Sequence, residues 1–241
     1  MIVSFEHGFI FFKSKKTGGS TAECALAPLC GPNDIVTIAG LDELVLPGGE
    51  ARNFTNNAQI LAAYEAAKAD TAADPVAAHM EIDGQLRLTG GWFSHMMVQE
   101  VRSRLTPRFW ADAFKFTIER HPYEKAVSQA YFSWATTGPR EGEDFTAFFD
   151  RTVKRGPYHN TRFYLQQGRL ALDRVVRYEN LDEELRAIAA DFGLRLPDPL
   201  PRVKGALRKD PRPAREILTD AQKAAIFLRC RDEFDFMGYE P

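Results

Sequence analysis

The sequence predicts an α/β fold: a three-layer arrangement in which a parallel sheet is flanked by helices. Three observations lead there. Short β-branched and aromatic runs alternate with segments of helical periodicity along the 241 residues. Residues 9–26 form a first strand–turn–helix unit, in which the apolar run Phe9-Ile10-Phe11-Phe12 passes through a glycine turn into a helical stretch. Residues 114–134 repeat that layout, with Pro122 standing where a helix can begin. The length suits one domain, residues 1–241, with ample core.

Taken in order, the Phe9 to Phe12 run has the length and type of a buried strand, and residues 22–26 read as a helix. Residues 34–38 are a short β-branched strand, and 40–55, with Pro47-Gly48-Gly49, a loop. Asn56 or Asn57 caps an Ala-rich helix to about Asp70, with Ile60, Leu61 and Tyr64 facing inward. Residues 75–80 are expected as a strand, with Asp83-Gly84 as the turn after it. Ser94 is expected to cap a helix carrying Met97, Val101 and Leu105.

Residues 114–118 alternate as a strand does, and Ala126, Val127, Ala130, Tyr131 and Trp134 share a face of the helix that follows. Residues 136–144 are a polar loop, and Phe145, Phe148 and Phe149 open another amphipathic helix. Residues 174–178 form a short strand. Asn180 with Glu183 reads as a capping box for a helix burying Leu181, Leu185, Ile188 and Phe192. Thr219 with Gln222 caps a last helix ending near Gly238.

Composition narrows the function classes. A formal charge of −2 argues against a general nucleic-acid binder, so any anion site must come from local clusters. Three cysteines, Cys24, Cys30 and Cys230, make no disulfide framework, which fits a reducing compartment. No run of 18 apolar residues occurs, so no membrane span is expected, and the first residues lack the basic region of a signal peptide.

The chemistry gathers in Lys16-Thr17-Gly18-Gly19-Ser20-Thr21. A strand, a glycine turn and a helix start point backbone N–H groups at an anion. Glycine permits close approach and positive φ, Lys16 adds a mobile charge, and Ser20 and Thr21 add hydroxyls. The stretch reads as a phosphate cradle. It is not the Gly-x-x-x-x-Gly-Lys-Ser/Thr loop, because the lysine precedes the glycines and no Gly-Lys pair occurs.

That order resembles the 5′-phosphosulfate loop of sulfotransferases that use 3′-phosphoadenosine-5′-phosphosulfate (PAPS), Pro-Lys-Thr-Gly/Ala-Gly/Thr-Thr/Ser-Ser, with Lys15 in place of the proline. Residues 120–128 resemble the same family's 3′-phosphate motif, Arg-Asn-Pro-x-x-Arg-x-x-Ser. Arg120, Pro122 and Ser128 match, while His121 and Lys125 depart from it. An arginine ending a parallel strand projects into the crevice where α/β folds bind ligands, and its planar fork suits a phosphate. The likeness extends to residues 109–116, 175–181 and 234–239.

The resemblance implies a P-loop nucleotide-hydrolase-like sulfotransferase fold of the bacterial, carbohydrate or heparan type, with PAPS as donor and no metal. Golgi members of the family carry a membrane anchor, so a soluble, cytoplasmic protein is expected, with a small-molecule or carbohydrate acceptor. It also implies that the basic stretch 202–215 covers the cofactor, with Lys204, Arg208 and Lys209 as the contacts. Lys16 would stabilise charge on the oxygen leaving sulfur, and His95 is the first candidate for the base, His79 the second. Trp92, Phe93, Tyr131 and Trp134 are candidates to stack on a sugar acceptor, and the 136–144 loop is a candidate lid. Two other readings stay open: a P-loop kinase-like phosphotransferase, and a non-catalytic nucleotide-binding or scaffold domain.

Overall fold

A computed structural model describes residues 1–40, 45–72, 74–156, 159–203 and 207–241. β1 (Ile2–Ser4) returns through Gly8, at φ +71°, into β2 (Phe9–Phe12). Next come α1 (Gly19–Leu26) and β3 (Ile35–Val36), then α2 (Ala58–Ala69), α3 (Pro75–Thr89), α4 (Val98–Arg102) and α5 (Pro107–Asp112). β4 (Phe114–Glu119) leads into α6 (Pro122–Thr136) and α7 (Phe145–Arg155). A small hairpin, β5 (Leu165–Gln166) with β6 (Arg169–Leu170), precedes β7 (Arg174–Arg177) and α8 (Leu181–Asp191). α9 (Ala214–Ile217), α10 (Asp220–Arg229) and α11 (Arg231–Met237) follow.

The main sheet has the order β3-β1-β2-β4-β7. β2, β4 and β7 are parallel, but β1 is antiparallel to both β2 and β3. The sheet is therefore mixed, not parallel as expected. Residues 5–8 are too few for a crossover and long enough only for a hairpin, which forces β1 to run backwards.

Side chains alternate across the pleat. Ile10 and Phe12 join Ile60 and Tyr64 of α2, Ile82 and Leu86 of α3 and Val98 and Val101 of α4 on one face. Phe9 and Phe11 join Phe116, Val176, the alanines of α1 and Leu185 and Ile188 of α8 on the other. Burial on both faces is why residues 9–12 are apolar without interruption. A third apolar cluster joins α6, α7 and α9 to α11.

Several local expectations change. Residues 75–80 are helical, and Asp83-Gly84 lies inside α3 instead of ending a strand. Asp74 accepts from the N–H groups of Val76 and Ala77, and Pro75 occupies the first helical position, where its missing N–H costs nothing. Ser94 is not a cap: it is buried and donates to the Ile38 carbonyl, while α4 is closed by Glu100 accepting from the Met97 N–H. Asn57 does cap α2, although Leu61 is exposed. Asn180 makes no side-chain cap bond, because a short 3₁₀ turn (Tyr178–Asn180) already leads into α8. The Thr219–Gln222 capping box forms, but the last helix is two, broken at Cys230 before α11 ends at Gly238.

Candidate functional site

The three parallel strands end on the same edge, and their C-terminal extensions meet there: residues 13–18 after β2, Arg120 after β4 and Tyr178 after β7. This is the edge where α/β sheets receive ligands. Around it lies a cavity of about 690 Å³, lined by the turn Lys16 to Thr21, by Arg120, Ser128 and Phe132, by His95, by Tyr178 and Arg208, and by one side of α3.

Local geometry explains the turn. Lys16 has φ +62°, a conformation that costs a non-glycine residue about 1–3 kcal/mol and is found at sites that hold it in place. Gly18 has φ +80°, and a Cβ there would stand 2.8 Å from the Tyr178 ring, so glycine is required twice over. α1 starts without a side-chain cap, and its first ladder bond is Ala22 N–H to Gly18 O. The N–H groups of Gly19, Ser20 and Thr21 therefore precede the ladder, as an anion site needs.

The buried Thr17 hydroxyl bonds Ser14 Oγ at 2.7 Å, and Ser14 donates to the Ile118 carbonyl. These contacts fasten the turn to β4. The Lys16 ammonium lies 3.7 Å from the Phe132 ring centre, at the cavity wall.

The Arg120 guanidinium, which also lines the cavity, stacks 4.1 Å from the Tyr178 ring centre. Its Nη2 donates to Glu124 Oε2 at 3.2 Å, while its Nε is buried with no hydrogen-bond partner among the described residues. Arg208 Nη1 reaches the same Glu124 oxygen at 2.6 Å. Burial opposes ionisation of Glu124, yet the Ala214 N–H and Arg208 overcome it and hold the carboxyl below its usual range. Arg208 and the Ala214 N–H thus tie residues 207–215 to α6, and Ser128 lines the cavity one α6 turn beyond Glu124. Lys209 is exposed and does not line the cavity, and Lys204 lies outside the described residues.

His95 lies between α3 and α4 and lines the cavity. Its Nδ1 is 2.8 Å from the Lys13 carbonyl, which can only accept, so the proton sits on Nδ1 and Nε2 keeps its lone pair. Burial first, then the nearby Lys13 charge, hold this imidazole well below its ordinary pKa. His79, the second candidate, lines the cavity from α3.

Among the described residues the lining includes Lys13, Lys15, Lys16, Arg87, Arg120 and Arg208 against the single carboxylate Asp83. Arg87 pairs with Asp83 at 2.9 Å. Burial, then the charges of Arg162 and Arg87, lower the Lys15 pKa, with Asp83 partly offsetting them. A chain of net negative charge has collected an electropositive cavity.

Sequence reasoning missed Tyr178, Phe132 and the α3 wall, for which the Asp74-Pro75 pair was the available signal. Of the aromatic candidates only Tyr131 lines the cavity: Phe93 is buried beneath Arg87, and Trp134 packs on Phe145 and Phe148. The 136–144 loop does not reach the cavity either, and Gly138, Pro139 and Arg140 line a separate groove with α7.

Cys30 and Cys230 are free thiols. Among the described residues no helix is long and apolar enough to cross a membrane, and no three His, Cys, Asp or Glu side chains gather as a metal site. Comparison with family models, curated proteins and solved structures finds no match to this chain.

Proposed function

We propose that the chain is a cytoplasmic PAPS-dependent sulfotransferase with a P-loop-like sulfotransferase fold, moving a sulfuryl group to an acceptor hydroxyl of a carbohydrate or small alcohol and releasing 3′,5′-ADP. One observation carries this reading: the turn at Lys16 and the arginine after β4 line one cavity instead of lying on different sides of the molecule. PAPS bears two separate anionic groups, and two stretches distant in sequence bring cations and backbone N–H groups to the one cavity. The buried Arg120 Nε, without a partner among the described residues, fits an acceptor of hydrogen bonds that arrives with a ligand.

The departures from the family motif at His121 and Lys125 do not weaken this fit, because neither side chain lines the cavity. His121 Nε2 lies 3.1 Å from the Glu240 carbonyl, and Lys125 is buried between two carboxylates.

When bound, the donor supplies the sulfuryl group and a phosphate that leaves readily. The residues do the rest. Arg120, Ser128 and Arg208 hold the 3′-phosphate end, and the N–H groups opening α1 hold the other. Lys16 stabilises negative charge on the leaving side. His95 Nε2 takes the acceptor hydroxyl proton, with its tautomer set by the Lys13 carbonyl.

The test compares thermal stabilisation by 3′,5′-ADP with that by ATP and Mg²⁺, then measures PAPS turnover on an acceptor panel. The expected outcome is stabilisation by 3′,5′-ADP alone, and turnover that Lys16→Ala abolishes while the fold persists. Stabilisation only by ATP with Mg²⁺ would favour a kinase-like phosphotransferase. Binding of 3′,5′-ADP without turnover on any acceptor would leave a non-catalytic nucleotide-binding domain.

A further inference from the structure

Behind the cavity, out of contact with solvent, lies a cluster of polar side chains that the proposed chemistry does not use: Asn160, Glu119, Lys125 and Glu233. Lys125 Nζ lies 2.8 Å from Glu119 Oε1 and 2.8 Å from Glu233 Oε2. Glu119 Oε1 also accepts from the Arg120 backbone N–H at 2.8 Å and from Asn160 Nδ2 at 3.3 Å. Glu233 Oε1 accepts from the Asn160 N–H at 2.6 Å.

Asn160 then reaches the turn itself and grips one residue at both ends. Lys15 N–H donates to Asn160 Oδ1 at 3.1 Å, and Asn160 Nδ2 donates to the Lys15 carbonyl at 2.9 Å. This is the pairing a neighbouring strand would offer, supplied here by a side chain. It stands immediately before Lys16, whose backbone is held at positive φ.

The path between the two grips is therefore short and wholly polar: Lys15 backbone, Asn160 amide, Glu119 carboxylate, Arg120 backbone. We infer that Asn160 is a positioning residue that sets the separation of the two anion grips, and so makes the cavity selective for a nucleotide with a phosphate at each end over one with a single phosphate. This rests on reading the cavity as a nucleotide site with two phosphate grips.

A ligand that touches both grips depends on their separation, while one that touches a single grip does not. Rigid, fully satisfied polar clusters can hold such a separation, and small misplacements of a binding group are costly. Removing the Asn160 amide takes away its two bonds to the Lys15 backbone and one bond to Glu119, so each grip survives while the distance between them loosens.

The test measures Kd for 3′,5′-ADP, 5′-AMP and 3′-AMP with the full chain, for wild type, Asn160→Ala and the milder Asn160→Ser, alongside Tm. The expected result is that the wild-type preference for 3′,5′-ADP over either monophosphate shrinks roughly tenfold or more in the variants, with both monophosphate affinities little changed. Glu233→Gln keeps the Asn160 side chain but leaves one acceptor for two donors, the Lys125 ammonium and the Asn160 N–H, and shrinks the preference by less. It gives the answer independently if the Asn160 variants do not fold.

A lowered Tm with the preference intact, or an equal loss for all three nucleotides, would make Asn160 a purely structural residue and overturn the inference. A wild type with no preference between 3′,5′-ADP and the monophosphates would remove the nucleotide reading itself, and this inference with it.

Discussion

Gly18 carries the tightest steric demand of the turn. Its φ of +80° and the 2.8 Å approach of the Tyr178 ring leave no room for a Cβ. Gly18→Ala is expected to cost about 1–3 kcal/mol in urea unfolding, and to weaken 3′,5′-ADP binding as Tyr178 moves away from Arg120. His95 makes a second prediction. Because burial and Lys13 hold its pKa well below the ordinary value, it is neutral at pH 6.5 and stays so into more acid solution. The acid limb of kcat/KM is therefore expected below the ordinary histidine range, since activity is lost only as pH falls through the depressed value. His95→Ala is expected to lower turnover about 10²–10⁴-fold with the 3′,5′-ADP Kd unchanged. Weakened nucleotide binding with unaltered single-turnover chemistry would sink its role as base. Lys16 and Arg120 stand out in the sequence because each follows a strand at a turn, and both line the cavity, as do His95, Ser128 and Arg208, which the family resemblance singles out. Asn160 does not stand out, since it bonds a residue 145 positions away.

At the scale of elements, α3 matters most, because it lines the cavity and its first residues, 75–80, were expected as a strand. Short apolar stretches rich in alanine do not separate strand from helix by periodicity, and here the cap decided. Asp74→Ala removes the acceptor for the N–H groups of Val76 and Ala77, and is expected to cost about 1 kcal/mol of stability. Since α3 brings His79, Asp83 and Arg87 to the cavity, the same variant is expected to raise the acceptor KM more than the 3′,5′-ADP Kd. An unchanged acceptor KM would mean that this wall does not meet the acceptor. The other strand-to-helix units were readable, because β2 into α1 and β4 into α6 each carry an apolar strand ended by glycine or proline.

At the scale of the molecule, Lys125 ties the end of β4 to α11 through Glu119 and Glu233. Burial opposes its charge, but the two carboxylates more than offset that and hold its pKa above the ordinary range. Its contribution is then complete at neutral pH and is lost only as pH rises through the raised value. Lys125→Met leaves two buried carboxylates without their cation, and is expected to cost about 3–5 kcal/mol in urea unfolding at pH 7. A cost below about 1 kcal/mol would mean that the pair does not hold the helix to the sheet.

The amino-acid sequence alone determined the strand–turn–helix units, the uninterrupted apolar strand at the centre and the two stretches that line the cavity at the strand ends. Each depends on neighbours within a few positions, where pattern, capping and glycine placement act. Only the tertiary structure decided that β1 runs backwards, that α3 is a wall of the cavity, and that Asn160, Glu119, Lys125 and Glu233 join the two stretches from behind. Those outcomes depend on which distant groups satisfy one another once water is excluded, and local spacing carries no record of that.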